Sequence, residues 1–106
     1  MAVVVINRIR LRIPVDRIAP DVEREFPAAF RGLAGFERFS FVKLAETEVA
    51  ALIVWDSAEH AQAGADAIGP TLFGRILAPH TESQDRVVGE ILVEVTSQRP
   101  VGGVRH

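Results

Sequence analysis

The sequence has no cysteine and no tyrosine, and it contains one tryptophan and one methionine in 106 residues. The lack of cysteine excludes a disulfide scaffold, a zinc–thiolate site and a cysteine nucleophile. No apolar run approaches the roughly 20 residues of a membrane span. No basic segment precedes the apolar start of the chain, so we expect no signal peptide. These absences predict a cytoplasmic protein that does not associate with a membrane.

The basic residues do not outnumber the acidic ones, since the net charge is −2, and Lys43 is the only lysine among them. A nucleic-acid-binding domain usually carries a strongly basic face, so we expect no nucleic-acid partner. The length corresponds to one domain, and 48% apolar with 25% charged residues is typical of a globular chain. We expect this domain to span residues 1–96. Residues 97–106, which contain proline and two adjacent glycines, are predicted to form a flexible tail.

Apolar periodicity predicts the first two elements. Residues 3–13 alternate with period two and form a strand that Pro14 ends. An apolar stripe at helical spacing follows, made of Ile18, Val22, Phe26, Phe30 and Leu33. Asp16 is predicted to cap this helix, with Pro20 in its first turn. Pro27 predicts a kink or a short break near residues 25–26.

The second half of the chain predicts two further strands that form a hairpin, a helix and a final strand. The hairpin strands are residues 36–44 and 48–55, and Asp56 or Ser57 begins a helix that Gly69–Pro70 ends. A short helix over 71–77 and a polar loop over 78–85 precede a strand over 86–96. The resulting βαββαβ order predicts an α+β, ferredoxin-like fold with a four-stranded antiparallel sheet.

Two helices can cover only one face of such a sheet, yet strands one and three are apolar on both faces. The uncovered face is predicted to contain Val4, Ile6, Phe39, Phe41, Leu52 and Val54. An apolar patch of this size is unusual on a soluble monomer. A two-fold homodimer that packs sheet against sheet would bury it.

Three segments resemble the antibiotic-biosynthesis-monooxygenase group of dimeric α+β barrel proteins. They are the strand Val3–Ile9, the entry Gly35–Phe36 to the second strand, and the segment Ile53–Glu59. The resemblance covers about residues 1–96 and implies a homodimer with one pocket per subunit, between helices and sheet. Some members of the group oxidise aromatic polyketides without metal or flavin, and others bind and degrade heme. Both branches use an asparagine on the first strand, which corresponds to Asn7.

The sequence departs from both branches. The heme-degrading branch carries a tryptophan at a position that aligns near Gly64, and an axial histidine that would fall between Gly74 and Leu77. Neither residue is present, and His80 lies a few residues further along. The absence of tyrosine removes one candidate group for a phenol oxidation of the polyketide type. This fold hosts several chemistries, so the departures bear directly on function.

The candidate catalytic residues are Asn7 and His80. Asn7 can donate to a substrate oxygen or an oxyanion, and His80, after the last helix, could act as a base or a metal ligand. The predicted pocket-lining residues are Phe26, Phe30, Trp55, Phe73 and Leu77. The structural alternatives are a buried amide at Asn7, core packing at Trp55 and an exposed loop residue at His80. His60 is interpreted as a surface residue, and no metal site is expected.

Three functions follow from these residues. The first is a cofactor-independent monooxygenase that oxidises a small aromatic, polyketide-like substrate with oxygen in an apolar pocket. The second is a dimeric protein that binds a small ligand without catalysis. The third is a heme-binding or heme-degrading protein. A basic stripe of Arg8, Arg10 and Arg12 could attract an anionic ligand, although cross-strand or inter-subunit pairing with Glu90 and Glu94 is the interpretation we favour.

Overall fold

A computed structural model describes residues 1–97. Its strands and helices are β1 (Val3–Leu11), α1 (Val15–Arg31), β2 (Phe36–Ala45), β3 (Glu48–Trp55), α2 (Ala58–Ile68), a π-helical segment (Gly69–Leu77), a short 3-10 turn (Ala78–His80) and β4 (Thr81–Glu90). The order confirms the predicted ferredoxin-like βαββαβ fold. No helix within these residues is long and apolar enough to cross a membrane. The predicted tail lies, apart from Ser97, outside the described residues.

The four strands form one antiparallel sheet in the order β2-β3-β1-β4. The central strand β1 places Val5 opposite Ile53 of β3 and opposite Val88 of β4. Both helices lie on the same face of the sheet as Val5, and the buried core fills the space between. The helices thus cover one face and leave the other open, as the sequence predicts.

Helix α1 packs on the sheet through the predicted stripe, of which Ile18, Val22, Phe26 and Phe30 are buried. It runs without a break through Pro27, so the expectation of a short break there is wrong, and Pro20 lies beyond the first turn. The expected cap at Asp16 is also wrong. No side chain caps this helix, and the amide of Val15 donates instead to the carbonyl of Glu46 at 2.7 Å. A tertiary contact therefore satisfies an amide that a capping side chain would otherwise serve.

Strand β2 differs from the predicted arrangement in the face that its aromatic residues occupy. The register with β3 shifts between Phe36 and Arg38, so Phe36 lies opposite Trp55 and Phe39 lies opposite Ile53. Phe39 and Phe41 therefore pack against the helix-side core and do not belong to the uncovered face. The irregularity adds one residue to the strand and reverses the alternation that strict period two predicts.

Strand β4 begins earlier and ends earlier than predicted, at residues 81–90 in place of 86–96. Backbone pairing with β1 explains the difference. Thr81 lies opposite Leu11 and Glu90 lies opposite Val3, where β1 begins, so the pairing extends no further than the Ile91 amide, which donates to the Ala2 carbonyl at 3.0 Å. Val93 and Val95 continue the alternation, but both residues and Leu92 are exposed beyond the sheet.

The basic stripe has other partners than the predicted ones. On the uncovered face, Arg8 forms an ion pair with Glu48 at 2.6 Å. Glu94 pairs instead with Arg38 at 3.1 Å. Glu90 lies opposite Val3 and therefore on the helix side of the sheet. The interpretation that Glu90 and Glu94 pair with the stripe across strands is wrong, because the register places Asp85 opposite Arg8 and Ser83 opposite Arg10. Pairing between subunits stays a prediction.

Candidate functional site

A cavity of about 230 Å³ lies between the sheet and the wall formed by α2 and the π-helical segment. Its floor comes from β1, β3 and β4, and its far side comes from Phe30 of α1. The lining residues are Val5, Asn7, Phe30, Ile53, Trp55, Ala61, Gly64, Ala65, Ile68, Gly69, Phe73, Gln84 and Arg86. A concave, mostly apolar space with a few polar groups is the usual form of a small-molecule site.

The inner part of the cavity is built around Trp55, whose side chain is 2% exposed. The Phe30 ring lies 6.2 Å from the indole, centroid to centroid, at an angle of 60°. On the other side, a Cβ atom at Gly64 would overlap Cη2 and Cζ2 of the indole and lie 2.9 Å from Cζ3. The missing side chain at Gly64 therefore lets α2 rest directly on Trp55.

The wall above this floor depends on local features of the sequence. Ser57 caps α2, since its hydroxyl accepts the amide of His60 at 3.2 Å. After Ile68 the chain continues in wide π-helical turns, and the Thr71 hydroxyl donates to the carbonyl of Ala67 at 2.7 Å. The π-helical segment contributes Gly69 and Phe73 to the cavity. Stretches of π-helix are rare and occur frequently at functional sites.

The polar part of the cavity is at the β1–β4 side of the sheet. Asn7 is half-buried on the helix side of β1, directly opposite Arg86, and Gln84 lies opposite Ile9. Arg86 and Gln84 are exposed, because β4 is an edge strand of the sheet. Within residues 1–97 the side chains of these three polar residues form no hydrogen bond or ion pair with one another or with any other group. Their polar atoms are therefore available to a ligand.

The structure brings together four of the seven predicted site residues. Asn7, Phe30, Trp55 and Phe73 line the cavity. Phe26 and Leu77 do not. Phe26 packs against Phe30 and Phe39, and Leu77, 1% exposed, belongs to the core below the π-helical segment.

His80 lies away from this cavity. It ends the 3-10 turn before β4, is half-buried, and its carbonyl accepts the amide of Arg12 at 2.8 Å. Arg12 is five residues along the chain from Asn7, a backbone separation of about 17 Å in extended conformation. Within the single chain, Asn7 and His80 therefore cannot act on one small ligand together.

His60, interpreted as a surface residue, has a specific partner. Its Nδ1 lies 2.6 Å from Oδ1 of Asp56, and this hydrogen bond lowers the pKa of the Asp56 carboxyl. Gly35 has φ +79°, and a Cβ atom there would overlap both side chains. The amide of Asp56 also donates to the Gly35 carbonyl at 2.9 Å. These contacts join the loop before β2 to the loop before α2, outside the cavity.

Sequence reasoning missed Gln84 and Arg86. Gln84 falls in the segment 78–85, whose polarity predicted a loop, and Arg86 is the first residue of the predicted strand. A signal did exist, because Gln84 and Arg86 are two residues apart and would share one face of a strand, as Asn7 and Ile9 do on β1. Using it requires the β1–β4 register, which the sequence does not display. No cluster of three or more potential metal ligands occurs among residues 1–97.

No protein-family model matches this sequence, and no curated protein matches it. Similar folds do occur among solved structures. SnoaB from Streptomyces nogalater, described as a cofactor-independent oxygenase, superposes with a TM-score of 0.68 at 14% identity, over 95% of this chain and 97% of SnoaB. The ActVA-Orf6 monooxygenase of Streptomyces coelicolor, solved with nanaomycin D, gives 0.71 at 15% identity, over 91% and 93%.

A third similar structure is MhuD from Mycobacterium tuberculosis, described as a heme degrader with two hemes in its active site. It superposes with a TM-score of 0.60 at 22% identity, over 89% of this chain and 99% of MhuD. At these identities the likeness concerns the fold. The structural neighbours of this chain are thus antibiotic-biosynthesis-monooxygenase-like proteins, and the chain shares their ferredoxin-like fold.

Proposed function

We propose that the protein is a small cofactor-independent monooxygenase that oxidises an aromatic substrate held in the cavity. One observation carries the proposal. The half-buried carboxamide of Asn7 faces a cavity whose inner walls are otherwise aromatic, aliphatic or glycine. Its side chain has no hydrogen-bond partner within residues 1–97. A polar group in such surroundings normally has a partner, and a substrate oxygen would supply one.

The reaction that fits this site converts a phenol into a quinone. The phenolate carries negative charge onto a ring carbon, which forms a carbon–oxygen bond with O2, and a proton completes the hydroperoxide. Loss of the ring hydrogen as a proton and cleavage of the O–O bond then give the quinone and one water. One O2 is consumed, with one oxygen atom in each product, and the substrate supplies all the electrons.

Asn7 would contribute by binding the oxygen on which charge develops. The Nδ2 amide can donate to a phenolate or to the peroxide oxygen. A fixed donor inside a poorly solvated cavity stabilises such charge more strongly than water does, because it needs no reorganisation. Phe30, Trp55 and Phe73 would hold the ring, since stacked or tilted aromatic contacts favour a planar ligand. His80 has no part in this step, because it lies outside the cavity and too far from Asn7 to reach the same small ligand.

Heme fits the cavity poorly. The lining contains no histidine, and the position near Gly64 is filled by the Trp55 indole. The residues of this chain therefore favour a small aromatic ligand over a porphyrin.

The proposal includes a homodimer formed through the uncovered face of the sheet. After Phe39 and Phe41 are removed from the predicted set, Val4, Ile6, Leu52 and Val54 remain there, half-buried in the single chain. Val42 and Val87 extend the patch and are 40% and 55% exposed. Burial of such a patch against a second copy is the ordinary way in which soluble proteins remove it from water.

Oxygen uptake with a dihydroxynaphthalene tests the enzymatic proposal. Asn7→Ala should lower kcat by about 10²-fold or more, as the loss of an oxyanion donor does in other enzymes. The matched control is Gln62→Ala, which removes a carboxamide on the outer side of α2 where Gln62 bonds Asp66. Both variants should fold, as checked by circular dichroism. Binding of the naphthol without any protein-dependent oxygen uptake would identify a binding protein and refute the enzymatic proposal.

A further inference from the structure

We infer that the ligand of this cavity is an aromatic acid, bound with its ring against Trp55 and its anionic oxygen on the guanidinium of Arg86. The inference rests on the proposed function, because it takes the cavity as the ligand site. It adds a charge requirement and an orientation to that proposal. It also assigns a specificity-determining role to a residue that sequence reasoning left out.

The lining of the cavity carries charge of one sign. Among its thirteen residues Arg86 is the only charged one, and no aspartate or glutamate accompanies it. Arg86 forms no ion pair within residues 1–97. Asp85, its neighbour in the chain, lies on the opposite face of the sheet, opposite Arg8. The cavity thus presents one uncompensated positive charge.

The positive charge and the buried floor occupy different parts of the cavity. Trp55 and Ile53 of β3 form the dry inner floor, whereas Arg86 stands on the edge strand β4, at the exposed rim. A ligand with an apolar ring and a charge at one end satisfies both parts at once. Its ring would leave water, and its anion would stay near the surface, where the cost of removing water from the charge is small.

Two further hydrogen-bond donors lie beside Arg86. Asn7 lies directly opposite Arg86 on the neighbouring strand, and Gln84 is two residues away on the same face. The planar guanidinium can hold two oxygens of a carboxylate, or one phenolate oxygen with a second donor beside it. Such a positive group also favours the ionised form of a phenol, which is the form that the proposed oxidation requires.

A pair of probes of equal shape tests this inference. At neutral pH 2-naphthoate is an anion and 2-naphthamide is neutral, and both can be titrated by calorimetry and by quenching of the single tryptophan, which lines the cavity. Wild type should bind naphthoate more tightly. Arg86→Gln should weaken naphthoate binding about five- to tenfold, the range for a charged contact at a partly exposed site, and change naphthamide binding less than about twofold.

Two further variants separate a local contact from a general charge effect. Arg10→Gln removes the same charge from the opposite, uncovered face, and should leave both probes unaffected. Arg86→Lys keeps the charge without the planar fork and should recover part of the naphthoate affinity. Equal losses in Arg86→Gln and Arg10→Gln would overturn the inference.

The remaining outcomes distinguish this inference from the proposed function. If naphthoate and naphthamide bind wild type with equal affinity, the charge requirement is refuted while the aromatic cavity stands. If neither probe binds wild type, both the cavity as an aromatic site and the inference built on it are refuted.

Discussion

Replacing Gly64 by alanine should destabilise the protein, although alanine is the better helix former. Gly64 lies in the middle of α2, where alanine stabilises a helix by about 0.5–1 kcal/mol relative to glycine. The packing of this helix opposes that gain. The added Cβ atom would lie 2.9 Å from Cζ3 of Trp55 and overlap two further indole atoms. Carbon atoms pack best at about 3.5–4.0 Å, so helix and ring must separate by roughly 1.5 Å to relieve the deepest overlap, which is with Cη2.

The indole cannot easily make that movement. It is 2% exposed, and the rings of Phe30 and Phe36 lie 6.2 and 5.8 Å from it. Forcing extra volume into a packed core costs about 1–3 kcal/mol. After subtraction of the helix gain, we expect a net loss of about 1–2 kcal/mol in the free energy of unfolding. For a domain of this size that corresponds to a fall in Tm of about 5–15 °C.

Urea and thermal unfolding followed by far-UV circular dichroism measure this change. Gly32→Ala is the matched control, because Gly32 has α-region backbone angles at the end of α1 and its added Cβ would meet the Ala29 carbonyl oxygen at 3.9 Å, an ordinary contact. It should change the free energy of unfolding by less than about 0.5 kcal/mol. A Gly64→Ala variant as stable as Gly32→Ala would refute the reasoning.

A double-mutant cycle identifies the contact responsible. Trp55→Phe removes the outer ring that the new Cβ would overlap, although by itself it leaves a void and costs stability. In combination with Gly64→Ala the two losses should not add, and the coupling should be about 1 kcal/mol or more. Additive losses would show that Gly64→Ala acts elsewhere than on the indole.

Three further predictions concern the contacts outside the cavity and the uncovered face. Gly35→Ala should lower the free energy of unfolding by about 1–3 kcal/mol, since φ is +79° and the Cβ meets His60 and Asp56, whereas Gly32→Ala should change it by less than about 0.5 kcal/mol. Because the hydrogen bond to His60 lowers the Asp56 pKa, this carboxylate stabilises the fold near neutral pH, and that contribution disappears as the pH falls through the lowered pKa. Asp56→Asn should therefore reduce the stability difference between neutral pH and about pH 3 in urea titrations, and an unchanged profile would contradict the assignment. Leu52→Glu, on the uncovered face, should convert a dimer into a folded monomer in light scattering; a wild-type monomer at micromolar concentration would refute the dimer.

Much of the fold followed from periodicity alone. A period of two in residues 3–11 and a spacing of three to four residues in α1 each mark one face that leaves water, and burial at Val5 and Phe30 agrees with this. The same alternation placed Asn7 on the helix side of β1. Hairpin and helix boundaries at Trp55 and Ser57 were also readable, because turn and capping residues act locally.

The errors occurred where backbone partners, not side-chain polarity, decide the structure. The register shift in β2 moved Phe39 to the helix side, and the start of β1 at Val3 ended β4 at Glu90 in spite of the apolar residues beyond it. At α1, a carbonyl distant in sequence served the amide of Val15.

The sequence by itself therefore determined the element order, the helix-side position of Asn7 and the aromatic character of the site. Only the tertiary structure decided that Arg86 and Gln84 join that site and that His80, Phe26 and Leu77 stand outside it. The physical reason is that side-chain periodicity records which face leaves water. It does not record which residues of neighbouring strands become opposite one another, since that register depends on hydrogen bonds that every backbone can form.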